Sequence, residues 1–67
     1  MYRDTIKEIC KEKGFTVAQV EREAGMAPGT IKNWNRFIPS LTNLVSVSNV
    51  LGVSLDYIVQ RDQERAG

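Results

Sequence analysis

The chain has 67 residues, 42% of them apolar, with nine basic and eight acidic side chains and no histidine. That length supports one small core and not two, which excludes enzymes that set a cofactor domain beside a substrate domain. No apolar run approaches the roughly 20 residues of a membrane span, and Met1-Tyr2-Arg3-Asp4 does not resemble a secretory leader, so a cytoplasmic protein with no membrane contact is expected. One cysteine, Cys10, without histidine excludes an internal disulfide, a zinc finger and a Cys-His nucleophile. No metal, cofactor or small-molecule ligand is therefore expected, and nothing accompanies the acids to make an enzyme.

The net charge of +1 conceals an uneven distribution. Residues 1–23 carry Arg3, Lys7, Lys11, Lys13 and Arg22 against Asp4, Glu8, Glu12, Glu21 and Glu23, a balance of zero. Residues 24–55 carry only Lys32 and Arg36 and no acid. Residues 56–67 return to slight acidity, with Arg61 and Arg65 against Asp56, Asp62 and Glu64.

Taken in chain order, the pattern predicts five helices and no strand. Tyr2, Ile6, Ile9 and Cys10 form one apolar stripe, with acids early and bases late, and Gly14 ends this first helix. Thr16-Val17-Ala18-Gln19 reads as a capping box for a second helix of about two turns. Phe15, Val17, Val20 and Ala24 form its inner side, and Gly25 closes it. Pro28 suits the first position of a third helix reaching about Asn35, which turns Ile31 and Trp34 inward and Gly29, Lys32, Asn33 and Arg36 outward. Ser40 caps a fourth helix built on Leu41, Leu44, Val47, Val50 and Leu51, and Gly52 ends it. Ser54 caps a fifth, with Leu55, Ile58 and Val59 facing inward and a Val53–Ile58 staple. Residues 61–67 read as a polar tail that frays beyond a domain of residues 1–60. Phe37 and Ile38, beside Pro39, either cap the core or form a subunit interface; Glu21 and Glu23 read as solvated.

Two short helices joined by a glycine turn, the second with an acid-free polar face, form a helix-turn-helix. The stretch V-A-Q-V-E-R-E-A-G-M-A-P-G-T-I-K-N-W-N-R, Val17 to Arg36, resembles that unit of the Cro and phage-repressor (XRE-type) family. P-S-L-T-N-L and L-G-V-S-L-D-Y-I resemble the family's fourth and fifth helices. The resemblance implies an all-α, compact five-helix lambda-repressor-like domain whose second and third helices read double-stranded DNA. It implies a sequence-specific regulator, a repressor acting as a homodimer on an operator. The second reading is an antitoxin or anti-repressor that uses the same fold to bind a protein.

Carried onto this sequence, the resemblance places Thr16, Val17 and Gln19 near phosphates at the start of the second helix. It turns Pro28, Gly29, Thr30, Lys32 and Asn33 to the bases, and Arg36 and Asn43 to phosphates. Asn33 suits adenine, Lys32 suits guanine or a phosphate, and the Thr30 methyl suits thymine. Three departures from the pattern stand out, the third of them double. Val17 replaces a phosphate-binding glutamine, leaving only backbone N–H groups at that helix start. Glu21 replaces a small inner-corner residue and must reach outward or pair. Cys10 and Asn35 stand where the family holds an Arg–Glu clamp, so a less polar contact is expected there. Helix five and the 37–39 loop, with Tyr57 and Val59, are the expected dimer surface.

Overall fold

The computed structural model describes residues 2–66. It contains four α-helices, α1 (Tyr2–Lys13), α2 (Val17–Glu23), α3 (Leu41–Leu51) and α4 (Leu55–Ala66), with a 3₁₀ helix, Ile31–Asn35, between α2 and α3. No strand occurs among the described residues. The fold is all-α as expected, with four α-helices where five were expected. The segment assigned to a third α-helix is a tight turn followed by five 3₁₀ residues.

Its composition explains the difference. Thr, Asn and Trp are indifferent helix formers, glycine is a poor one, and Pro39 closes off any extension. The backbone instead forms i→i−3 bonds: Thr30 N–H to the Ala27 carbonyl at 3.2 Å, Asn33 to Thr30 at 3.1 Å and Arg36 to Asn33 at 2.9 Å.

Two serine caps form as read from the sequence. Ser40 Oγ accepts from Asn43 N at 3.1 Å and Ser54 Oγ accepts from Tyr57 N at 3.0 Å. Each satisfies an N–H that a helix start leaves without a partner.

Every element contributes to one core. Ile6, Ile9 and Cys10 of α1, Val20 of α2, Ile31 and Trp34 of the 3₁₀ helix, Leu44, Val47 and Leu51 of α3, and Ile58 of α4 are all buried together. Each large apolar side chain so buried contributes about 1.5–3 kcal/mol. Burial raises the Cys10 thiol above its usual pKa, which keeps it a small neutral hydrophobe. Leu41, expected to face inward, lies at the open first turn of α3 and is exposed. Cys10 is buried and Asn35 exposed, so no buried contact between them replaces the family's clamp.

The chain end also differs from expectation. Helix α4 does not stop at Gln60 but continues to Ala66, and its later turns are tied to α1; Met1 and Gly67 lie outside the described residues. Thr5 Oγ1 donates to Asp62 Oδ1 at 2.8 Å in a buried contact. Arg61 donates to Glu12 at 2.6 and 2.9 Å and to Glu8 at 3.0 Å, and Arg65 pairs with Glu8. A residue block that reads as solvated in one dimension thus becomes a brace once α1 lies beside it.

Candidate nucleic-acid interface

The helix-turn-helix is set by α2, its turn and the 3₁₀ helix. Thr16 Oγ1 accepts from Gln19 N at 3.0 Å, completing half of the expected capping box. The other half is not made: the Gln19 amide donates to Glu23 Oε2 at 3.1 Å, one turn along the helix. At the end of α2, Gly25 adopts φ +74°, a left-handed conformation that glycine accepts without strain. Gly25 N then bonds to the Arg22 carbonyl at 3.2 Å and Met26 N to the Glu21 carbonyl at 2.8 Å, turning the chain toward Pro28.

Glu21 is not solvated. Only 4% exposed, it spans the corner: Oε1 accepts from Gly29 N at 3.1 Å and Oε2 from Ile31 N at 2.9 Å. The first N–H groups of a helix lack intrahelical partners, and this carboxylate supplies them. Gly29, at φ +89°, bends the backbone so that two amides converge on one side chain. A residue that departs from the expected pattern therefore fastens the corner. The signal was present in the sequence, since an acid at a buried corner position needs donors, and the nearest ones are the N–H groups of the next helix start.

The 3₁₀ geometry arranges the outward side chains. With three residues per turn, positions three apart stack in rows. Ile31 and Trp34, at 0% and 3% exposure, form the row driven into the core. Thr30, Asn33 and Arg36 form a second row; Thr30 and Arg36 flank the 3₁₀ helix and both keep right-handed helical backbone angles. At about 2.0 Å rise per residue, this row spans about 12 Å. Asn33, Lys32 and Arg36 are exposed, as are Pro28 and Gly29. The Thr30 hydroxyl donates to the Ala27 carbonyl at 2.6 Å, leaving its methyl and lone pairs for any partner.

The remaining sequence-selected residues sit at either side. Thr16 is exposed at the start of α2, Val17 and Gln19 are half-buried there, and Asn43 is half-buried in the first turn of α3. Neither Lys32 nor Arg36 has an acidic partner among the described residues, while Arg36 stands 5.9 Å from the Phe37 ring centroid.

Two cations that the segment sums concealed also reach this side. Arg3 and Lys7 of α1 line a groove of about 440 Å³ together with Val17, Ala18, Gly29 and Lys32. Arg3 Nε donates to Asp4 at 3.0 Å, and that guanidinium holds the Asp4 carboxyl below its ordinary pKa. Beyond the 3₁₀ helix, Phe37 (62% exposed), Ile38 (73%) and Leu41 (67%) are open to solvent, whereas Pro39 between them is buried. Of the two roles expected for Phe37 and Ile38, core capping is thereby excluded.

The chain matches the helix-turn-helix family model over residues 6–58 and belongs to that family, the DNA-binding regulators of the Cro and repressor (XRE) type. No curated protein and no solved structure matches it. The family is typically non-enzymatic. No single helix among the described residues is long and apolar enough to cross a membrane.

Proposed function

We propose that the protein is a sequence-specific transcriptional repressor that inserts the turn at Pro28 and the 3₁₀ helix into an operator major groove. One observation carries this reading. Lys32, Asn33 and Arg36 are exposed and free of acids on a segment whose other side, Ile31 and Trp34, is locked in the core. Rigid presentation matters because ordering a mobile recognition segment would cost affinity. Asn33 reads adenine, Lys32 donates to guanine or phosphate, and Thr30 offers its methyl to thymine. Pro28 and Gly29 bring backbone close to the bases. Arg36, Asn43, the Thr16–Val17 start of α2 and Gln19 lie along the phosphates. The reading unit is Val17 to Arg36 within a domain of residues 1–60, and the last turns of α4 brace it.

One module with about three base-reading side chains gives modest affinity, so the protein acts as a homodimer on two half-sites about one helical turn apart. Phe37, Ile38 and Leu41, together with Tyr57 and Val59 of α4, form the dimer contact. Selection of a random duplex pool by the purified protein tests both halves of the proposal. An inverted repeat is expected. Recovery of no enriched sequence would overturn the reading.

The same exposed apolar patch supports a second reading, a protein-interaction module of the antitoxin or anti-repressor kind. A stoichiometric protein partner, with DNA binding that is absent or insensitive to salt, would favour it.

A further inference from the structure

Helix α1 carries alternating charges that cancel in sequence, and the fold separates them. Glu8 and Glu12, four residues apart and therefore on one side of the helix, are both engaged by Arg61, and Glu8 also by Arg65. Arg3 and Lys7 are likewise four residues apart, on a row rotated from the glutamates, and line the groove beside Val17, Ala18 and Lys32. The acids near the groove are committed: Asp4 to Arg3, and Glu21, buried, to the Gly29 and Ile31 amides. Lys7 and Lys32 have no acidic partner among the described residues. At the first turn of α2, Val17 and Ala18 present no polar side chain, so the charged donors sharing their groove are Arg3, Lys7 and Lys32.

We infer that Arg3 and Lys7 form a phosphate-binding edge of the protein, gripping the DNA backbone beside the start of α2 while the 3₁₀ helix enters the groove. This inference rests on the DNA-reading proposal and adds α1 to its footprint. The two cations neutralise phosphates and carry no base preference. They raise the cationic set on the DNA side from Lys32 and Arg36 to four groups, which changes the salt dependence of binding in a countable way.

The test compares affinity over a range of salt for the intact protein, Lys7→Ala, Arg3→Ala and Lys13→Ala on one selected duplex and one scrambled duplex. Lys13 is exposed at the far end of α1 and does not line the groove. Lys7→Ala and Arg3→Ala are each expected to reduce the steepness of log affinity against log salt by about 0.9, equally on both duplexes. Lys13→Ala is expected to leave the slope unchanged. Thermal unfolding of each variant separates loss of contact from loss of fold. Unchanged slopes for Lys7→Ala and Arg3→Ala, with salt-sensitive binding by the intact protein, would overturn the inference and leave the DNA-reading proposal standing. An equal loss with Lys13→Ala would show a general field in place of a contact and overturn it too. Saturable binding of inorganic phosphate at Lys7, without a change in DNA slope, would assign the groove to a small anion and likewise overturn it. Failure of the intact protein to bind any duplex would overturn both.

Discussion

Glu21 Oε2 accepts the backbone N–H of Ile31 at 2.9 Å, so a side chain at the inner corner of α2 fixes the start of the 3₁₀ helix ten residues later. Its other oxygen holds Gly29. The orientation of the exposed Lys32, Asn33 and Arg36 side chains relative to α2 therefore depends on one carboxylate that bonds to backbone.

Glu21→Ala leaves the buried Ile31 N–H without its acceptor, while water can reach the exposed Gly29. A cost of about 1–3 kcal/mol in unfolding free energy is expected. Glu21→Gln retains one acceptor oxygen and should fall between the two in urea denaturation. If alanine proved as stable as glutamate, the corner would be held by packing alone.

The buried Thr5–Asp62 hydrogen bond joins the first helix to the last. Thr5→Val preserves shape and removes the donor, leaving a buried carboxylate oxygen unpaired. It should destabilise by about 1–3 kcal/mol and release the later turns of α4, read as faster amide exchange there. Unaltered exchange beyond Gln60 would mean that the ion pairs alone seat the helix.

The Glu12–Arg61 pair titrates in acid. The Arg61 guanidinium, hydrogen-bonded to Glu12, holds that carboxyl below its ordinary pKa of 4.5 and is itself pushed upward. A depressed carboxyl contributes stability that is fully present above the unfolded pKa and lost as pH falls through the folded one. Glu12 is exposed and Arg61 half-buried, so the effect is modest and screened by salt. Unfolding midpoints should fall more steeply below about pH 4.5 for the native chain than for Glu12→Gln. Parallel pH profiles would show that the pair contributes nothing.

Arg36→Ala and Asn33→Ala should affect DNA binding in different ways. The first removes a phosphate contact and should flatten the salt slope by about 1, uniformly across duplexes. The second should relax base preference at one position by about 1–3 kcal/mol of discrimination and leave the slope unchanged.

At the proposed dimer contact, Ile38→Asp places a charge at the most exposed large apolar side chain without touching the core. Sedimentation should show a weaker dimer on DNA and an unchanged monomer fold. A variant that still dimerises normally would place the contact elsewhere.

The apolar stripes, the three hydroxyl caps and the buried Ile31 and Trp34 were legible because each depends on neighbours within a few residues. The 3₁₀ geometry was less so: Ile31 and Trp34 face inward with either helix type, and only the weak helix formers around them point to the tighter one. The Glu21 bridge, the Asp62 contact and the pairing of Glu8 and Glu12 with α4 arise between residues 8 to 57 positions apart, beyond the reach of local patterning. Summing charge along the chain hid Arg3 and Lys7, although their spacing already placed them on a different row of the helix from the glutamates.

The most direct measurement maps backbone amide shifts in the free and duplex-bound protein. The large changes are expected on Thr16–Gln19 and Gly29–Arg36, with the Glu8–Glu12 face of α1 and the last turns of α4 unchanged. Changes confined to α4 and the 37–41 loop, with the 3₁₀ helix silent, would contradict the DNA-reading proposal.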